Sequence, residues 1–175
     1  MPNQRETIDE VTRFLRARVP VVVVKAQEPA RAAEVVHAAV MGLRMPCYIH
    51  SPATGLTGLG RNAVVSDDRS LAGAVEYATQ QFRNRPAMTF VFMDVDQLDS
   101  ETAVSHHFAE IARVAEGNEG TIVLITTGAV WSGLARLGMT VTLDLPDVDE
   151  IAAVLRALLA QNPGIRSEWG EEELR

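Results

Sequence analysis

The chain predicts an α/β fold, a three-layer sandwich with a five-stranded, mostly parallel sheet. Two observations carry that expectation. Short, wholly apolar runs recur along the sequence, as strands covered on both faces require. Amphipathic helical stretches separate them, the alternation that builds parallel sheets through right-handed crossovers. At 175 residues the chain fits one domain able to bury a full core.

The elements follow in order. Residues 7–18, "TIDEVTRFLRAR", place Ile8, Val11, Phe14 and Leu15 at helical spacing after a candidate Thr7 cap, and Pro20 ends the helix. "VPVVVVK" is a continuous β-branched run, the first strand. Residues 29–43 return to helix, with Pro29 suited to its first turn. "MPCYIH" (45–50) is the second strand, and the glycine-rich "SPATGLTGLGRNAVVSDD" reads as a long loop. A helix capped by Ser70 or Asp68 precedes the third strand, "AMTFVFMDVD" (87–96). A helix near 99–117, a fourth strand (120–128), a short helix (129–137), a fifth strand (139–146) and an amphipathic helix (147–161) complete the pattern. We divide the chain into an α/β domain, 1–162, and an acidic tail, 163–175, in which Trp169 offers an apolar anchor.

Composition removes several function classes. The 47% apolar and 22% charged residues are those of an ordinary globular domain, so wholesale disorder is not expected. A formal charge of −7 argues against nucleic acid as a partner, because phosphate backbones need a basic face. No apolar run approaches the roughly 18 residues of a membrane span, and the first residues are polar, so neither a span nor a secretory signal is expected. The single cysteine, Cys47, has no partner for an internal disulfide and suits a reducing cytoplasm as a core filler. The four histidines offer no metal set: His106 and His107 are adjacent on one helix, and His37 and His50 belong to different elements.

The question for function lies in "VVVVKAQEPARAAEVV" (21–36), a buried strand running into a helix. Many α/β proteins hold a phosphate at such a turn, using glycines that point consecutive backbone N–H groups inward and a lysine on the terminal phosphates. Here the turn is "AQEPAR". Two acids follow the third strand, Asp94 and Asp96, where P-loop enzymes hold magnesium and polarise water. Thr126 and Thr127 end the fourth strand, and the fifth runs through "LDLPDVDEIAAVLRALL", a strand, a proline, an acidic spacer and a helix beginning Glu-Ile.

On these residues the chain resembles the large subdomain of AAA+ ATPases over residues 7–162. More narrowly it is similar to the N-terminal half of AAA+ proteins with two ATPase-like modules, a type also encoded in some chloroplast genomes, in which a degenerate first module precedes a standard one. The resemblance implies a strand order 5-1-4-3-2 and a helical lid that would follow the present residues. The chain is therefore expected to be one domain of a longer protein or a cut-down version of it.

The resemblance also assigns the site residues. It puts the phosphate loop at Gln27, Glu28, Pro29, Ala30 and Arg31, where a carboxylate repels phosphate and a proline removes a donor. Lys25 lies on the strand, too early to substitute. Asp94 and Asp96 become a vestigial magnesium and water-activating pair, and Thr126 and Thr127 a vestigial sensor, though acids and threonines at strand ends also simply cap turns. Arg136 falls where the superfamily carries an arginine that acts in trans, although a solvated helix-end arginine complementing the dipole is the simpler account. Thr54, Leu56, Leu59 and Arg61 fall where related machines place a pore-lining loop, although a mobile surface loop is the simpler account.

The resulting expectation is a non-catalytic AAA+-like module that assembles with or regulates an AAA+ ATPase domain in the same or another chain, with homo-oligomers allowed. No catalytic residue, metal, ATP or membrane partner is expected. An atypical ATP- and magnesium-binding ATPase is the alternative. A receiver-like signalling domain phosphorylated at Asp94 ranks below both, for it would need an acid pair after the first strand and a late lysine.

Overall fold

The computed structural model describes residues 4–59, 64–66 and 68–162. Its elements are α1 (Gln4–Arg16), β1 (Val21–Ala26), α2 (Pro29–Leu43), β2 (Cys47–Ser51), β3 (Gly55–Gly58), α3 (Leu71–Asn84), β4 (Thr89–Met93), α4 (Ala103–Glu116), β5 (Thr121–Thr126), α5 (Ser132–Ala135), β6 (Gly138–Leu143) and α6 (Val148–Gln161). They form one six-stranded sheet in the order β3-β2-β4-β5-β1-β6. All neighbours are parallel except β2 and β3.

The sheet thus has one strand more than expected. The five expected strands keep the order 5-1-4-3-2, and the addition joins the outer edge beside the second. It comes from the segment read as loop. Gly55, at φ +71, turns the chain back, and Ser51, His50, Ile49 and Tyr48 of β2 then pair with Gly55, Leu56, Thr57 and Gly58. Leu56 alone anchors this strand in the core, at 1% exposure. One apolar residue between glycines leaves no alternation to read. Thr7 also departs from its expected cap role: it lies inside α1 and is buried.

Alternation along β1 sorts the core into two layers. Val22, Val24 and Ala26 face α1 and α2, joined by Val91, Val123, Ile125, Val141 and Leu143. Val21 and Val23 face the opposite layer, where Phe90, Phe92, Ile122 and Leu124 meet Phe82, Phe108 and Leu134 from α3, α4 and α5. Burying each such valine or phenylalanine contributes about 1.5–3 kcal/mol relative to exposure, so this sheet can only sit between two helix layers. Gly138 marks the tightest approach. A Cβ there would lie 1.7 Å from the Val21 carbonyl oxygen, so only glycine lets β6 close against β1.

Caps set the helix starts. Thr102 and Ser105 form a reciprocal capping box that begins α4 at Ala103, four residues later than expected. Ser70 caps α3 by accepting from the Gly73 N–H at 3.0 Å. α2 starts differently: Glu28 occupies the cap position with no side-chain cap hydrogen bond, and Pro29 opens the first turn.

Candidate functional site

β1 leads into α2 on one face of the sheet, while its neighbour β5 leads into α5 on the other. Chain connections therefore diverge between the carboxyl ends of β1 and β5, and a crevice opens there, the place where open α/β sheets hold ligands. Lys25, Ala26, Gln27, Thr127, Thr142, Leu143, Asp144 and Leu145 line it around about 450 Å³. Lys25 is the chain's one lysine. Its register partners are Thr126 on β5 and Thr142 on β6, so these three side chains leave the same face of the sheet.

The turn after β1 takes a specific form. Glu28 is extended, at φ −116 and ψ 92, and its carbonyl accepts the Ala32 N–H. Gln27, Glu28 and Ala30 are exposed. Arg31 is not among the residues that line the crevice. Its Nη2 donates to Glu150 Oε2 at 2.6 Å, and its Nη1 donates to the Asp144 carbonyl. This guanidinium in the first turn of α2 is thereby committed to the segment between β6 and α6.

Asp94 and Asp96 belong to a second crevice, of about 340 Å³, lined also by His50, Arg69, Ser70 and Gln97. Asp94 follows β4 in the left-handed region at φ 52, and Gln97 repeats that conformation at φ 62. Both carboxylates are exposed. Deeper in, His50 is 1% exposed. Its Nε2 lies 3.0 Å from the Arg69 carbonyl oxygen, which can only accept, so Nε2 carries the proton. Nδ1 is buried without a hydrogen-bond partner. Beside it Asp68 Oδ1 accepts the Ser70 N–H at 2.8 Å, a bond that holds the Asp68 carboxyl below its usual range. Among the described residues no group of three or more His, Cys, Asp or Glu side chains is placed to hold a metal ion.

The remaining sequence candidates disperse. Thr126 Oγ1 accepts the Gly128 N–H at 3.1 Å and so shapes the turn after β5, while Thr127 enters the first crevice. Arg136 ends α5 just before Gly138, which pairs with Val21 at the opposite end of β1. It therefore lies across the molecule from Gln27–Arg31. Leu56 is in the core, Leu59 packs on the α1–α2 layer, Thr54 hydrogen-bonds Ser51, and Arg61 lies outside the described residues.

Sequence reasoning missed Lys25 as a crevice residue, His50 as a buried polar group and Glu150 as a junction. A lone lysine ending an apolar strand was the available signal for the first. For Glu150, "DVDE" signals a capping box and nothing about Arg31.

A parallel sheet in this order, sandwiched by helices with its crevice beyond β1, is the frame of an AAA+ ATPase-like module. Residues 7–143 match the family described as the SpoVK-like AAA ATPase N-terminal domain, and the chain belongs to that family. No curated protein matches it in sequence. Among solved structures it is similar to a chain of the E. coli MS115-1 HORMA:CdnC:Trip13 complex, at 14% identity and TM-score 0.65, over 100% of this chain and 73% of that one. It also resembles C. elegans PCH-2, at 9% identity and TM-score 0.58, over 97% of this chain and 50% of that one. Domain III of the Thermotoga maritima replication initiation protein DnaA aligns at 14% identity and TM-score 0.53, over 98% and 70% of the two chains. The chain spans half the length of PCH-2 and about three quarters of the E. coli chain.

Proposed function

We propose that this chain is a non-catalytic AAA+-like module that serves assembly or regulation of an AAA+ ATPase domain, carried by the same or another polypeptide. One observation carries the reading. The turn between β1 and α2 presents Glu28 at the cap and Pro29 at the first helical position, where a triphosphate calls for bare inward N–H groups, and the nearby cation, Arg31, is already bonded to Glu150 and Asp144. The loop Gln27–Arg31 is on this reading a degenerate Walker A, and ATP and magnesium are not its cofactors. Asp94, Asp96, Thr126 and Thr127 are vestiges, while Arg136, remote from the module's own crevice, remains free to act on a neighbour. The functional unit is the α/β domain, and it works in the cytoplasm, where a lone thiol is at home. That a relative of this fold occurs in the HORMA:CdnC:Trip13 complex supports a role in multi-protein assembly.

A second reading, an atypical ATP-binding domain, is favoured by Lys25 in the crevice beyond β1 and by two exposed carboxylates after β4. Equilibrium titration with a fluorescent ATP or ADP analogue and Mg²⁺ separates the two. The proposal expects no saturable binding up to millimolar nucleotide. Micromolar affinity lost in Lys25→Ala or Asp94→Ala would establish the alternative.

A further inference from the structure

α6 has little holding it by apolar contact. Ala152 is its one buried residue, while Val148, Ile151, Val154 and Leu158 are 47–61% exposed. A helix so placed takes little direction from core packing. The polar contacts concentrate instead on Glu150, in its first turn. Oε1 accepts the backbone N–H of Gln4, at the start of α1, at 2.7 Å. Oε2 accepts Arg31 Nη2 at 2.6 Å and the Asp147 N–H at 3.3 Å. Arg31 also donates to the carbonyl of Asp144, just past β6.

We propose that Arg31 and Glu150 form a built-in strap that fixes the direction in which α6 leaves the sheet, independent of any bound ligand. The Arg31 end is rigid: α2 is held by buried Ala32, Val35 and Val36 immediately beyond it. The pair is mostly dry, with side chains 14% and 20% exposed. A charge-assisted fork of this kind is short, directional and hard to replace by water. Its two bonds bracket residues 145–149, so the guanidinium holds both the exit from β6 and the first turn of α6. Proline adds a fixed φ between them. The inference rests on the reading of Gln27–Arg31 as a turn without phosphate: the cation in the first turn of α2 is spent on linking the body to α6.

Native-state amide hydrogen exchange of the full chain tests it. Arg31→Met keeps the length and leaves the Asp147–Glu150 capping box intact. It is expected to speed exchange across residues 151–158 at least tenfold while β1 and β5 stay unchanged. Glu150→Gln removes the charge and turns one of the two acceptor oxygens into a donor, and is expected to speed exchange at the same amides. Unchanged α6 exchange in Arg31→Met overturns the strap. Should that variant loosen the whole sheet, Glu150→Gln decides: faster exchange confined to α6 upholds the strap and no change overturns it. Millimolar Mg·ATP is expected to leave wild-type α6 exchange as it is. Slowing by nucleotide would refute ligand independence, whereas saturable binding without such slowing would refute only the non-catalytic reading.

Discussion

Cys47 shows how a single side chain records its surroundings. It begins β2 facing the α1–α2 layer and is 6% exposed. Burial pushes its thiol from 9.0 up to about 12, because a thiolate there would lose its hydration with no cation in return. Between those values the unfolded chain releases a proton that the folded chain keeps. The stabilisation is therefore whole below pH 9 and falls by roughly 1.4 kcal/mol per pH unit above it. Urea unfolding at pH 8 and pH 10 should show this loss in the wild type and not in Cys47→Ala, and the native thiol should resist alkylation at pH 8.

At the scale of the element, α3 depends on its start. Ser70 Oγ takes the Gly73 N–H, and Asp68 holds the Ser70 N–H in turn. Ser70→Ala removes the first bond and leaves the second. A lost cap costs about 1 kcal/mol, which in a domain of this size lowers the thermal midpoint by about 2–4 °C. Ser70→Asp, which restores an acceptor, should recover the loss. The midpoint is read by circular dichroism. The same site bears on the second crevice, since Ser70 and His50 line it together. A frayed α3 start would disturb the His50–Arg69 bond before it touched the sheet.

Across the whole molecule, stability rests on the two helix layers gripping one sheet. Phe82 is central to the α3–α4 layer: its ring meets Phe90 edge-on at 5.1 Å, and a Cβ at Gly120 would strike it at 2.4 Å. Phe82→Ala removes a fully buried ring from a site closed on all sides, so collapse cannot fill the space. The expected cost is about 3–5 kcal/mol, a large share of the 5–15 kcal/mol typical of such domains. Urea unfolding should show it as a lowered midpoint with little change in slope. No helix among the described residues is long and apolar enough to cross a membrane.

The frame was legible in the sequence wherever burial is periodic. "VPVVVVK" is apolar throughout because β1 lies in mid-sheet with a helix layer on each face, and α2 matched its expected bounds, Pro29 to Leu43. β3 was not legible, because an edge strand of four residues buries little and declares itself only through pairing with β2. The site divides along the same line. Local chemistry, a glutamate and a proline in a glycine-free turn, was enough to raise the question about phosphate. Which side chains share a crevice was not. Lys25 meets Thr127 and Asp144 only because β1 lies between β5 and β6, and Arg31 reaches Glu150 across 119 residues of chain. Periodicity and turn chemistry act between neighbours along the backbone, so the amino-acid order alone determined the layers and the odd turn. Strand order acts between residues far apart in sequence, so only the folded sheet decided what that turn faces and what its arginine holds.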